Sequence, residues 1–248
     1  MKVVTGMHRS GTSLVAMTLD ALSLDFGDHD EFYAADEWNQ KGYFERRDVV
    51  DLNSRLITGF TRTQGVTSSS LGKIRYLTQP SPEVITARGH ALRGEIEQMA
   101  SQIGDLHVKD PRFVLTLDSW RPHVSQIVVC LRRPDQVALS LKRRQRVPLG
   151  ISYGFWNYHA RAILAIAHER VHYVDFDILA GEAPEAELAG LARFLGVAAT
   201  PTELVATLRA RFAPTLKHFD PFEAVDLPSP TRELWEQLSA RRASLTNG

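Results

Sequence analysis

A glycine-spaced loop close to the amino terminus limits, more than any other feature, what this chain can fold into. Residues 3–17 read VVTGMHRSGTSLVAM, in which Gly6 and Gly11 have the spacing of a phosphate-binding loop. Two valines precede the loop, and apolar residues recur behind it at helical spacing. The segment is therefore predicted to form a strand, a loop that cradles an anion, and a helix.

The loop departs from the nucleoside triphosphate pattern at the position of the usual lysine, which is Thr12 here, and its cation is Arg9. Glycines let backbone N–H groups approach an anion, and the start of a helix adds partial positive charge. The hydroxyl groups available to such an anion are those of Ser10, Thr12 and Ser13, and Arg9 could reach across it. The alternative is an ordinary strand-to-helix turn with Gly and Thr as cap residues.

Composition excludes several classes of protein. The chain has 248 residues, of which 44% are hydrophobic and 23% charged, as in a soluble globular protein. With 29 basic and 29 acidic residues, no nucleic-acid partner is expected. A single cysteine, Cys130, leaves no internal disulfide, and neither a membrane span nor a signal peptide is predicted. We expect a cytoplasmic protein, and a homo-oligomer is compatible with the sequence.

Further apolar runs end abruptly in charge. Residues 106–108 lead into Lys-Asp-Pro-Arg at 109–112, residues 126–131 lead into Arg-Arg-Pro, and residues 171–174 lead into Asp175. Strands that alternate with helices predict an α/β class, a three-layer P-loop-like fold with a central parallel sheet flanked by helices. Ligands bind beyond the carboxyl ends of such strands, where these charges would lie.

The remaining pattern predicts one domain over residues 1–248. Helices are expected over 49–56, over 85–103, and over 188–195 before Gly196. An acidic, aromatic segment and a long polar connection suggest an insertion around residues 25–82 that binds an acceptor or acts as a lid.

A second anion site is predicted after the third strand. Arg132 and Ser140 are eight positions apart, which places a guanidinium in a turn and a hydroxyl two helical turns further on. Both side chains could reach one phosphate group. The alternative is a strand-loop-helix connection whose arginines are solvated.

Taken together, these motifs resemble the superfamily of sulfotransferases that depend on 3′-phosphoadenosine 5′-phosphosulfate (PAPS). The resemblance is carried by GMHRSGTS, KDPR, RRPDQVALS and the later segment DFDILAGEAPEAELAGLARFLGV. It is nearest to the bacterial-type branch whose loop reads HRSGTS and which carries a KGYFE-like segment, here residues 41–45.

The resemblance implies how a donor would be held. The first loop would bind the sulfate end and the Arg/Ser pair the 3′-phosphate, and adenosine 3′,5′-bisphosphate would be the product, with no metal. By matching position, the residues at the sulfate end are Arg9, Ser10, Gly11, Thr12 and Ser13, and those at the 3′-phosphate are Arg132 and Ser140.

The resemblance also gives Lys109 a catalytic role, because related enzymes carry a lysine at the end of the middle strand. A fixed cation there favours the transition state, in which negative charge develops on the leaving phosphate. Arg9 would share this role. The alternative makes Lys109 and Asp110 a surface ion pair, worth at most about 1 kcal/mol.

The general base is less closely defined. Some relatives use a histidine on the middle strand, but Pro111 occupies that position here. Others use a glutamate after the first helix, and Glu45 has the best context because a turn and apolar neighbours precede it. His8 is the second candidate, and Asp28 is one of several acidic residues in the same region that stay open.

The leading hypothesis is therefore a PAPS-dependent sulfotransferase acting on a hydroxyl or amine of a small-molecule, carbohydrate or natural-product acceptor. An atypical P-loop kinase, with Asp175 holding magnesium, is the alternative, and a non-catalytic nucleotide-binding protein is a third hypothesis. The basic run 142–146 could extend the 3′-phosphate site, attract an anionic acceptor, or be a solvated helix end.

Overall fold

The computed structural model describes residues 1–34, 43–59, 79–211 and 226–246. Much of the predicted insertion, at residues 35–42 and 60–78, lies outside the described residues.

Four parallel strands form the centre of the molecule, with the order β2-β1-β3-β4. Their bounds are β1 Lys2–Gly6, β2 His107–Lys109, β3 Gln126–Leu131 and β4 Val171–Asp175. All four runs were expected from their β-branched and apolar residues. The three-layer α/β fold with a central parallel sheet is thus confirmed.

Helices cover both faces of this sheet. In chain order they are α1 Thr12–Ala21, α2 Arg47–Thr58, α3 Pro82–Ala91, α4 Arg93–Ile103, α5 Phe113–Trp120, α6 Pro134–Gln145, α7 Leu149–Leu164, α8 Phe176–Leu179, α9 Glu185–Leu195, α10 Pro201–Arg211 and α11 Ser229–Thr246. Short 3-10 helices cover His29–Glu31 and Arg121–His123.

Successive strand residues point to opposite faces and build two separate cores. Val3 and Ile127 pack with α2 to α7 and α11, whereas Val4 and Val128 pack with α1 and α8 to α10. Because both faces of the sheet are buried, its strands are continuously apolar rather than alternating.

The predicted helix over residues 85–103 is wrong in one respect, since it consists of two helices, α3 and α4, that meet at Leu92. Gly89 packs so closely on Ser119 that an added Cβ would be 2.2 Å from the serine oxygen. Gly94 opens the second helix, and the low helix propensity of glycine on both sides of Leu92 favours a break there. The helices predicted over 49–56 and 188–195 are confirmed as α2 and α9.

The strand order creates a crevice between β1 and β3. After β1, the chain forms β2 on one side of β1 and then returns to form β3 on the opposite side of β1. In doubly wound sheets, such a switch point is where ligands bind. The glycine-spaced loop follows β1 and Arg132 follows β3, so both predicted anion sites border this crevice.

Within the described ranges, none of the helices combines the length and the hydrophobicity that a membrane crossing needs.

Candidate functional site

Tight packing explains the two glycines of the loop after β1. Gly11 has a φ of 91°, and a Cβ there would be 1.9 Å from Cδ2 of Phe176. A Cβ on Gly6 would be 2.4 Å from the carbonyl oxygen of Cys130 on β3. The backbone of the loop is therefore pressed against β3 and the start of α8, as a cradle requires.

The loop leaves donors available for an anion. Gly11 caps α1 without a side-chain acceptor, so the N–H groups of the first turn have no partner within the helix. The Ser10 side chain is buried, and its Oγ has no hydrogen-bond partner within the described part of the chain. Since buried hydroxyls are normally paired, these groups fit a bound phosphate or sulfate group.

The two predicted anion sites are in direct contact. Arg9 Nε donates to Ser140 Oγ at 2.8 Å, and Arg132 Nη1 donates to the Arg9 carbonyl oxygen at 2.9 Å. Arg9 itself has a left-handed backbone with φ of 73°, which the Arg132 bond helps to hold. The structure thus brings Arg9, Arg132 and Ser140 together at the mouth of the β1/β3 crevice.

Arg132 is held by an aromatic ring as well as by the loop. Its guanidinium carbon lies 4.6 Å from the ring centroid of Phe176, a cation–π contact. Burial lowers the pKa of Arg132 to about 10; Asp177 opposes the shift and Arg9 adds to it. A buried cation that faces another cation favours the approach of an anion.

Lys109 joins the loop to a second polar centre. It is the last residue of β2, and only 2% of its surface is exposed. Its Nζ donates to Ser13 Oγ at 3.1 Å, to the Tyr43 carbonyl at 2.9 Å and to Glu45 Oε1 at 2.7 Å. The predicted position at the strand end is correct, whereas the alternative of a surface pair with Asp110 is wrong because Lys109 is buried and paired with Glu45.

Glu45 has two cationic neighbours among the described residues. Its side chain is buried, and besides Lys109 it faces Arg112, whose Nη1 lies 3.6 Å from Oε2. The turn and the apolar residues before Glu45 favour it as a base in the sequence, and the structure adds a buried ion-pair cluster around it. Neighbouring cations favour the charged form of a carboxylate, which is the form that a general base requires.

The base candidates Asp28 and His8 lie in different settings. The Asp28 carboxylate is exposed and accepts from the Asp30 backbone N–H at 2.9 Å, so it caps a 3-10 helix. His8 is half-buried in the loop, and its ring packs edge-on against His159 at 6.4 Å between centroids.

Arg144, a member of the basic run, faces the site. Arg144 lies one helical turn beyond Ser140 on α6, and its Nη2 donates to the Tyr43 hydroxyl at 2.6 Å. Lys142 and Arg146 are exposed. The four-residue spacing from Ser140 is the signal that could have singled out Arg144 in the sequence.

Asp175, the magnesium-holding acid of the kinase hypothesis, caps α8. Its Oδ1 accepts from the backbone N–H groups of Asp177 at 2.8 Å and Ile178 at 3.3 Å. This local role accounts for an acidic residue at the end of β4 without a metal.

Comparison with solved structures identifies the fold. The sulfotransferase domain of a Synechococcus olefin synthase superposes with a TM-score of 0.56 at 18% identity, over 96% of this chain and 94% of that chain. A Mycobacterium tuberculosis sulfotransferase matches 85% of this chain and 75% of its own at 13% identity, with a TM-score of 0.45. No family model matches the chain, nor does any curated protein.

Proposed function

We propose that this chain is a sulfotransferase that moves a sulfuryl group from PAPS to a hydroxyl or amine of a small-molecule, carbohydrate or natural-product acceptor. One observation carries the proposal: Ser13, in the first turn of the anion-loop helix, accepts a hydrogen bond from Lys109 of the buried Lys109–Glu45 pair. Groups suited to holding a sulfate ester and groups suited to its transfer are therefore adjacent. The fold shared with a sulfotransferase domain supports the same function.

The donor would be held by the two joined anion sites. The sulfate end would bind at the first turn of α1, whose N–H groups have no partner within the helix, next to a Ser10 hydroxyl without a partner in the described residues. The 3′-phosphate would bind at the start of α6. The residues proposed for the sulfate end are Arg9, Ser10, Gly11, Thr12 and Ser13, and those for the 3′-phosphate are Arg132 and Ser140.

The bound donor supplies a sulfuryl group whose bond to the phosphate oxygen breaks as the acceptor oxygen bonds to sulfur. In this proposal Glu45 accepts the proton of the acceptor hydroxyl, and Lys109 and Arg9 stabilise the negative charge on the released phosphate. No metal is needed, because fixed side-chain cations provide the charge. Adenosine 3′,5′-bisphosphate is the second product.

Transfer of sulfur-35 from labelled PAPS to a panel of sugars, phenols, amines and aliphatic alcohols tests the proposal. We expect one acceptor class to be labelled, and adenosine 3′,5′-bisphosphate to raise the melting temperature without added metal. Magnesium-dependent consumption of ATP would instead favour the kinase. Tight binding of the bisphosphate with no labelled product from any acceptor would favour a binding protein.

A further inference from the structure

A chain of buried polar contacts leads away from Glu45 toward α2 and α5. It begins at Asp110, which has no solvent-exposed surface. The Asp110 carboxylate accepts from Arg112 Nη1 at 2.8 Å, from the Arg112 backbone N–H at 2.9 Å and from Asn53 Nδ2 at 2.9 Å. Three donors therefore fix both of its oxygens.

The far end of this series of polar contacts is also fixed by hydrogen bonds. Asn53 is buried in α2, and its Oδ1 accepts from Thr116 Oγ1 at 2.8 Å and from Trp120 Nε1 at 2.9 Å, both on α5. Since the amide oxygen faces two donors, the amide nitrogen is directed at Asp110. Networks of this kind, with every member paired, rigidify the site that they support.

Arg112 is the member that connects this network to Glu45. Its Nη1 lies 2.8 Å from Asp110 Oδ1 and 3.6 Å from Glu45 Oε2. Lys109, by contrast, contacts Oε1 of the same carboxylate. The two oxygens of Glu45 thus face two different cations, and only Arg112 is anchored in turn by a buried acid and its network.

We propose that Arg112 is a positioning residue that holds Glu45 in place and charged while Lys109 acts on the sulfuryl group. This inference rests on the proposed function, in which Lys109 and Glu45 have separate tasks. When the Lys109 ammonium turns toward a sulfate ester, Arg112 still faces Oε2 of Glu45 and favours the charged form that a base requires. Arg112, fixed through Asp110 and Asn53, keeps that oxygen where it is.

The charges around Glu45 give the proposal a pH signature. Lys109 faces it from β2, and Arg112 and Asp110 face it from the turn before α5. Without Arg112, the carboxylates of Glu45 and Asp110 would have one cation fewer between them. Because a neighbouring cation favours the charged form of a carboxylate and a second carboxylate disfavours it, the base would lose its charge at a higher pH.

The test compares Arg112→Gln with Arg112→Lys in kcat/KM measured from pH 5 to 9 with labelled PAPS. In Arg112→Gln we expect the acid limb to move up by about one pH unit, so that kcat/KM on that limb falls about tenfold at a given pH. Arg112→Lys keeps the charge and should return the acid limb to the wild-type position. Affinity for adenosine 3′,5′-bisphosphate, measured by calorimetry, should be unchanged in both variants.

An acid limb that stays in place in Arg112→Gln, or that Arg112→Lys fails to restore, would overturn the inference. If Arg112→Gln does not fold, Asp110→Asn replaces it: reduced kcat with unchanged bisphosphate affinity supports the inference, and wild-type kcat overturns it. Failure of the proposed function looks different. In that case the wild-type protein transfers no label, or Glu45→Gln turns over at the wild-type rate.

Discussion

Lys109 Nζ lies 2.7 Å from Glu45 Oε1, and both side chains are almost completely excluded from solvent. The pair ties the end of β2 to the segment that leads into α2, in addition to any role in catalysis. Two buried charges that depend on each other in this way have opposite consequences when one or both are removed.

Removal of one partner should destabilise the fold. Lys109→Met leaves the Glu45 charge buried without its lysine partner, and we expect the free energy of unfolding to fall by about 3–5 kcal/mol. The double variant Lys109→Met/Glu45→Met removes both charges and should recover most of this loss. Urea unfolding of the two variants and the wild-type protein measures the difference. Equal losses in the single and double variants would show that the pair is not coupled.

Catalysis should respond to the charge of Lys109 separately from stability. At a temperature where Lys109→Met is still folded, we expect its kcat to fall by 10²- to 10³-fold, as when one donor to a developing oxyanion is lost. Lys109→Arg keeps a cation at the site and should retain more activity. Initial rates with labelled PAPS and a fixed acceptor give the comparison, and equal rates for the Met and Arg variants would contradict an electrostatic role.

The local part of the site could be predicted from the sequence. Gly spacing identifies the loop, and apolar runs that stop at a charge place Lys109 and Arg132 at strand ends. These signals involve residues that are close together in the sequence. The period of a strand or a helix determines how such residues are arranged.

Partners from distant segments could not be predicted. Glu45 pairs with a lysine 64 positions away, and Arg9 donates to a serine 131 positions away. Periodicity shows which face a residue occupies but not which side chain from another element it meets. Asn53 is an example, because it looks like an ordinary polar residue of α2 until packing brings it to Asp110, 57 positions away.

The close packing of the loop predicts opposite effects for two glycine substitutions. Gly11→Ala would place a methyl group 1.9 Å from Phe176 and adopt a φ of 91°, so we expect lower stability and loss of bisphosphate binding. Gly94→Ala is the matched control, since nothing lies within 4 Å of its Cβ position in α4. That variant should gain about 0.5–1 kcal/mol because alanine favours the helix. Thermal unfolding with and without the bisphosphate tests both, and an unchanged Gly11→Ala would contradict the cradle.

Ser140 should discriminate between nucleotides. If its hydroxyl binds the 3′-phosphate, Ser140→Ala should weaken binding of adenosine 3′,5′-bisphosphate by roughly 10- to 100-fold, the usual cost of a hydrogen bond to a charged group. Adenosine 5′-phosphate, which lacks the 3′-phosphate, should bind the variant and the wild-type protein equally. Calorimetric titration with both nucleotides makes the comparison. An equal loss for the two would mean that Ser140 acts through its contact with Arg9 instead.

Burial of His159 predicts that acid destabilises the protein. Burial lowers its pKa to about 4, although a hydrogen bond to the Phe155 carbonyl raises the pKa in part. The unfolded chain binds the proton near pH 6.5, so the unfolded state is increasingly favoured as pH falls from 6.5 toward 4. At about 1.36 kcal/mol per pH unit, this histidine removes about 3 kcal/mol over that window. Because its ring packs on His8, the anion loop should be disturbed together with the fold.

Replacement of His159 by an uncharged residue should remove that part of the pH dependence. We expect the free energy of unfolding of His159→Phe, measured with urea at pH 4.5 and pH 7, to change less between the two pH values than that of the wild-type protein, even if the variant is less stable at pH 7. His90→Phe, at an exposed position on α3, is the control and should keep the wild-type slope. A slope that persists in His159→Phe would assign the acid sensitivity to other groups, of which His172, with a pKa also lowered to about 4 by burial, is the first to test.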